Sequence, residues 1–168
     1  MDAILGRDDR LIEKLSKACE QISPAFTAII GTPVPAVIAT DMRALKRMAE
    51  KKTGLPCITA ECTGTNYYDS GSEPVWIELF KTFATESKPV QKGRLDIIGA
   101  TPLDLSIISP ERIVAEYKAK GWENVICYGM ASTLDDVKNA AAAEMNIVCS
   151  AAAIKAAEYL KEKFGTPY

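Results

Sequence analysis

NVICYGMASTLDDVKNAAAAEMNIVCSAAAIKAAEYL, residues 124–160, decides the fold because it contains one structural unit twice. Asn124–Tyr128 and Met145–Cys149 are apolar runs of strand length. Each ends in a turn of small residues and passes into a segment with helical spacing, over about 133–142 and 152–164. Strands that alternate with helices do not pair as hairpins. They form parallel sheets flanked by helices, an α/β architecture. Right-handed crossovers then bring the loops that follow the strands to one edge.

The same alternation extends upstream. Leu95–Gly99 reads as a strand, followed by the loop GATPLDLS and a helix over about 110–120. TESKPVQKGR, residues 85–94, is polar, holds Pro89 and Gly93, and reads as a linker. Before it, residues 8–22 space Leu11, Ile12, Leu15, Cys19 and Ile22 as a helix does. A strand over Ala25–Ile30 leads to the loop GTPVPAVIATD, residues 31–41. A helix over about 41–52 turns Met42, Leu45, Met48 and Ala49 inward and stops at Gly54. A strand over Leu55–Ala60 opens into the polar loop ECTGTNYYDSG. The next helix, over about 73–86, carries Val75, Trp76, Leu79, Phe80 and Phe83 on one face, with Pro74 in its first turn.

Of the 168 residues, 48% are apolar and 25% charged, which suits a soluble globular protein and places it in the cytoplasm. A net charge of −2 leaves no basic face for a phosphate backbone, so nucleic acid is not an expected partner. No apolar run approaches the length of about 18 residues that a membrane span needs, and the first ten residues lack the pattern of a signal peptide. There is no histidine. Ser-His-Asp and Cys-His nucleophiles, imidazole proton shuttles and histidine metal sites are therefore excluded within this chain. Five cysteines, at 19, 57, 62, 127 and 149, are odd in number and scattered, unlike a disulfide framework. Cys57 and Cys62 form C-x4-C, but two thiolates do not close a tetrahedral zinc site. Cys19 and Cys127 read as core.

Two strand-end loops look alike, GATPLDLS and GMASTLDD. Ser132 followed three residues on by Asp135 reads as a capping box, with a small anion site at the helix N-terminus as the alternative. No G-x-G-x-x-G and no Walker-type motif occurs.

In order and spacing, AILGRDDRLIEKLSKACEQISPAFTAIIGTPVPAVIATDM (3–42), TGLPCITAECTGTNYYDSG (53–71), LDIIGATPLDLS (95–106) and WENVICYGM onward (122–168) resemble nitrogenase component 1 proteins. The resemblance covers nearly the whole chain. It implies two Rossmann-like subdomains, 1–88, incomplete at its N-terminus, and 89–168, taken from a longer subunit with three. It implies an electron-accepting oxidoreductase module facing a metallocluster or cofactor. The partners it implies are a homologous component 1 subunit, in an oligomer, and an ATP-dependent iron–sulfur reductase. An iron–sulfur or related cluster is expected in the longer protein and none in these residues alone.

This sequence departs from the family pattern at instructive places. Pro33 stands where the family's cluster-binding cysteine stands, and proline cannot ligate iron. The glutamine and histidine positions of the nitrogen-reducing type fall in NYYDSGSE, which contains neither, so nitrogen fixation is not expected. The alternative is a catalytically inactive cofactor-assembly or partner-binding scaffold that has lost its cluster ligands. Cys149 falls near the family's cofactor-binding cysteine and is the candidate metal ligand; its competing reading is a buried cysteine closing a strand. Cys62 matches the cysteine of the family's Cys-x-Gly loop. With Tyr67 and Asp69 in the following loop, Cys62 and Cys149 make up the candidate cofactor-binding set. No catalytic acid or base is identifiable; Asp69, Asp104 and Asp135 are positional candidates only.

Overall fold

The structure is a computed structural model, and it describes residues 8–103, 105 and 108–168. Two compact units divide the chain, Met1–Glu78 and Leu79–Tyr168.

In the first unit the order is α1 (Asp8–Ile22), β1 (Thr27–Ile30), α2 (Pro33–Val37), α3 (Met42–Thr53), β2 (Cys57–Ala60) and the start of α4 (Tyr68–Phe83). β1 and β2 pair in parallel, from Thr27 opposite Cys57 to Ile30 opposite Ala60. The α3 sequence sets its own limits. Asp41 caps it by accepting from the N–H groups of Arg43 at 3.0 Å and Ala44 at 2.9 Å. The Ala44 bond, with smaller help from Arg43, holds the Asp41 carboxyl below its ordinary range. At the other end Gly54 turns left-handed with φ 71°, which a side chain would strain, and closes the last turn onto the Glu50 carbonyl. Met42, Leu45 and Ala49 bury against Ile12 and Cys57, with Leu15, Ile29 and Met48 packed around them. Leu11 and Ile22 share the α1 spacing but stay exposed, so its apolar stripe is only partly used.

The second unit runs from the end of α4 through β3 (Arg94–Ile98), α5 (Pro110–Ala119), β4 (Asn124–Cys127) and α6 (Leu134–Lys138). A 3-10 turn (Ala140–Ala142), β5 (Met145–Val148), a second 3-10 turn (Ala151–Ala153) and α7 (Ile154–Phe164) complete it. β3 lies between β4 and β5, all parallel. Every residue of β3 is buried, as a central strand covered on both faces must be. One face is apolar: Leu95, Ile97, Val125 and Cys127 meet Ile113, Val114, Tyr117 and Trp122. The same alternation gives the other face Arg94 and Asp96 of β3, Tyr128 beyond β4, and Asn146 of β5.

Beside the apolar Ile98, that second face buries a polar set. The Arg94 guanidinium donates to both Asp96 carboxylate oxygens, at 2.9 and 3.0 Å. The Tyr128 hydroxyl lies 2.6 Å from Asp96 Oδ2 and 3.1 Å from the Asp136 carbonyl; its single proton serves one of them at a time. Burial pushes the Asp96 carboxyl up while Arg94 and Tyr128 push back. Phe80 meets the Tyr128 ring edge-on at 5.1 Å.

The architecture matches the parallel α/β expectation, with four local differences. The segment after β1 is not all loop: Pro33 begins the short helix α2, where a preset φ and a missing N–H are both harmless. α4 starts at Tyr68, so Pro74 lies inside the helix rather than in its first turn. Pro74 leaves the Ser70 carbonyl without its helical N–H, while the single proton of the Ser72 hydroxyl serves either the Tyr68 or the Asp69 carbonyl, at 3.2 and 3.3 Å. The helix after β4 ends at Lys138, because the Asn139 side chain donates to the Asp135 carbonyl at 2.8 Å and the backbone leaves the helical region. The capping box is formed by Thr133 and Asp136, one residue beyond Ser132 and Asp135.

Candidate functional site

In the first unit the ends of β1 and β2 make a rim. Gly31 closes the strand pairing by donating to the Ala60 carbonyl at 2.8 Å. A Cβ at Gly31 would lie 3.1 Å from the Cys62 nitrogen, so a side chain there would push the two strand ends apart by a few tenths of an ångström. Gly64, with φ +72°, meets Pro33 even more closely: a Cβ would fall 2.5 Å from the proline Cγ. The position expected to lack a thiolate is thus filled by an apolar ring seated on the opposite loop.

A cleft of about 400 Å³ opens beside this contact, lined among others by Ile30, Cys62, Asn66, Tyr67 and Tyr68. Cys62 is half-buried, and its thiol donates to the Gly71 carbonyl at 3.6 Å. Tyr67 is 89% exposed at the cleft mouth. Asp69, exposed in the first turn of α4, is not part of the lining. Cys62 and Tyr67 are therefore brought together and Asp69 is set apart.

Cys149 belongs to the second unit. It follows β5, donates its N–H to the Ile98 carbonyl at 2.9 Å and is exposed. The buried-cysteine reading is corrected: β5 ends at Val148, and Cys149 emerges beyond the sheet. Asp135 is exposed and paired with Lys138 at 2.9 Å. Asp104 lies outside the described residues.

Two of the remaining thiols, Cys57 and Cys127, are poor ligands. Cys57 is fully buried, and burial pushes its thiol up. Burial raises Cys127 to about 11, with the nearby Cys149 adding to it. Cys19 is half-buried on α1, where full core burial was expected. Among the described residues, no three His, Cys, Asp or Glu side chains converge as a metal-binding group. Taken singly, each unit offers one thiol at its strand ends, Cys62 in the first and Cys149 in the second. A cluster anchored by several thiolates does not fit either.

Sequence reading missed the Arg94–Asp96–Tyr128 set and Asn146. A signal for the first was present, since Arg94 and Asp96 are two apart in a strand and must share a face. Asn146 is 1% exposed, and neither amide atom has a hydrogen-bond partner among the described residues.

Parallel strands, intervening helices and glycine-shaped strand-end loops define an α/β protein of Rossmann-like type in each unit. Over residues 1–168 the sequence matches the profile of the nitrogenase component 1 type oxidoreductases, and the chain belongs to that family. It is 25% identical over 170 residues to the nitrogenase iron-molybdenum cofactor biosynthesis protein NifE of Clostridium pasteurianum, covering 99% of this chain and 36% of that protein. Against NifE of Klebsiella pneumoniae it is 25% identical over 184 residues, covering 99% of this chain and 39% of that protein. The chain thus spans little more than a third of these relatives. The solved structure "Nitrogenase Cp1 at pH 6.5" shares the fold with a TM-score of 0.78 at 20% identity, over 98% of this chain and 32% of that one. None of the helices among the described residues is long and apolar enough to cross a membrane.

Proposed function

We propose that this chain is the cofactor-facing part of a component 1-type protein that shapes a metallocofactor site without ligating a cluster itself. The observation that carries the reading is the Pro33–Gly64 contact. It keeps the loop in a fixed form while replacing a thiolate with a ring. The one rim thiol of the first unit, Cys62, is occupied by the Gly71 carbonyl. The two NifE relatives, named for cofactor biosynthesis, favour assembly over nitrogen reduction. Cys62 and Tyr67 would contact the bound cofactor through the cleft they share, while Asp69 would act from outside it.

Val37, at 85% exposure, and Tyr67 leave apolar surface beside the rim, which suits docking of a homologous component 1 subunit in a cytoplasmic oligomer. A second reading, an electron-accepting oxidoreductase served by an ATP-dependent iron–sulfur reductase, is favoured by the family's description and by the exposed Cys149.

Rim variants in the longer, anaerobically purified protein test the proposal. Val37→Asp and Tyr67→Asp should weaken binding of the homologous subunit or retention of metallocofactor, with the fold intact by circular dichroism. Cys62→Ala should leave cofactor retention within twofold of the parent. Loss of all iron in Cys62→Ala or Cys149→Ala would favour the oxidoreductase reading instead.

A further inference from the structure

A loop that follows a parallel strand is ordinarily the loosest part of an α/β unit, because its amides face water and little packs beneath it. The loop from Gly129 to Thr133, between β4 and α6, is exposed at Gly129, Ala131 and Thr133. Yet both of its ends reach one buried ion pair. At its start the chain reverses. Gly129 turns left-handed with φ 85°, and Ala131 donates its N–H back to the Cys127 carbonyl at 3.1 Å. Tyr128, inside this reversal, is fully buried and bonds to Asp96. At the far end Thr133 and Asp136 close the capping box of α6, and the Asp136 carbonyl accepts from the same buried set.

That carbonyl has two donors in reach. Arg94 Nη2 carries two protons: one goes to Asp96 Oδ2 at 3.0 Å, and the other lies between the Tyr128 oxygen at 3.3 Å and the Asp136 carbonyl at 3.4 Å. The Tyr128 hydroxyl, 3.1 Å from the carbonyl, is the alternative donor. Opening the loop at Asp136 takes the carbonyl away from both, one of them charged. We propose that Arg94, Asp96 and Tyr128 form an internal clasp that fixes the β4–α6 loop. Its backbone N–H groups are then presented rigidly at the carboxyl edge of the sheet, where parallel α/β units bind their ligands. Arg94 and Tyr128 are positioning residues that act through Asp136. The clasp lies within the second unit and stands whether or not the cofactor reading of the first unit holds.

Backbone amide relaxation by NMR on the 168-residue chain tests the clasp, because order parameters are read in folded molecules and do not follow global stability. In the parent, residues 129–133 should match the strands, at about 0.85. The double variant Arg94→Lys/Tyr128→Phe keeps a cation for Asp96 and a ring for Phe80 but removes both donors to Asp136. Its loop should fall below about 0.6 while β3 and β5 keep the parent's values. Phe80→Leu weakens the same core without touching those bonds and should leave the loop ordered. A loop already flexible in the parent, or unchanged in the folded double variant, overturns the clasp, as does an equal fall in Phe80→Leu. If the double variant does not fold, amide exchange of the parent in low urea decides. The Ala131 and Thr133 amides, bonded to the Cys127 carbonyl and the Asp136 carboxylate, should open together with the β3 amides and with the same urea dependence. Exchange of those two amides through a local, urea-independent opening would refute the clasp.

Discussion

Asn146→Val should make the protein more stable, against the usual direction of core substitutions. Asn146 is 1% exposed on β5, and its amide nitrogen and oxygen lack partners among the described residues. Burying such an amide without compensation costs about 1–3 kcal/mol by mutational measures. Valine is close in size and suits a strand, so the overpacking that offsets the gain is small. A net stabilisation of about 1–2 kcal/mol is expected. For a unit of this length, each kcal/mol raises the melting temperature by about 4–8 °C. The assay is urea unfolding followed by circular dichroism, with calorimetry for the melting temperature. Asn146→Asp is the control: Asp96 is its register partner on β3, so a second carboxylate there should destabilise sharply. Should Asn146→Val lose about 1 kcal/mol or more, the amide has a polar partner and the reasoning is wrong.

Three further outcomes follow from the same unit. Tyr128→Phe removes the phenol bonded to Asp96 and should cost about 1.5–3 kcal/mol, whereas Asp96→Ala strands the Arg94 guanidinium and should cost about 3–5 kcal/mol in urea unfolding. Cys127 gives a pH dependence. Its thiol rises from 9.0 to about 11 in the folded state, so its contribution is fully present below pH 9 and lost as pH climbs through about 11. The loss is on the order of 3 kcal/mol at most, and Cys127→Ala should flatten that limb of the stability profile. Gly99→Ala should cost about 1–3 kcal/mol in melting experiments, since φ is +87° and a Cβ would lie 2.6 Å from the Ser150 hydroxyl and 2.7 Å from the Ala153 methyl.

Period and punctuation carried most of the architecture. The alternation of short apolar runs with helical spacing led to parallel strands, and Gly54 stopped its helix where a left-handed residue was needed. What escaped were features decided by competition among local hydrogen bonds. α4 begins six residues before Pro74, and Asn139 ends α6 early, although both surroundings read as continuous loop or helix. Pro33 and Pro35 suggested an extended loop, but the first occupies the one helical position where proline costs nothing. At the rim, the pairing of Cys62 with Tyr67 was legible from nearness in sequence. That Asp69 lies outside their cleft depends on how the first turn of α4 is oriented. The Arg94–Asp96–Tyr128 set joins positions more than thirty residues apart, which only strand register brings together.

Iron stoichiometry on the 168-residue chain decides most directly whether its strand-end rim ligates a cluster or only shapes a cofactor site. After anaerobic reconstitution with ferrous iron and sulfide, followed by desalting, the chain should be colourless and carry far less than one cluster equivalent. Cys62→Ala and Cys149→Ala should not change that. A brown chain with a full cluster per polypeptide, bleached by either substitution, would contradict it.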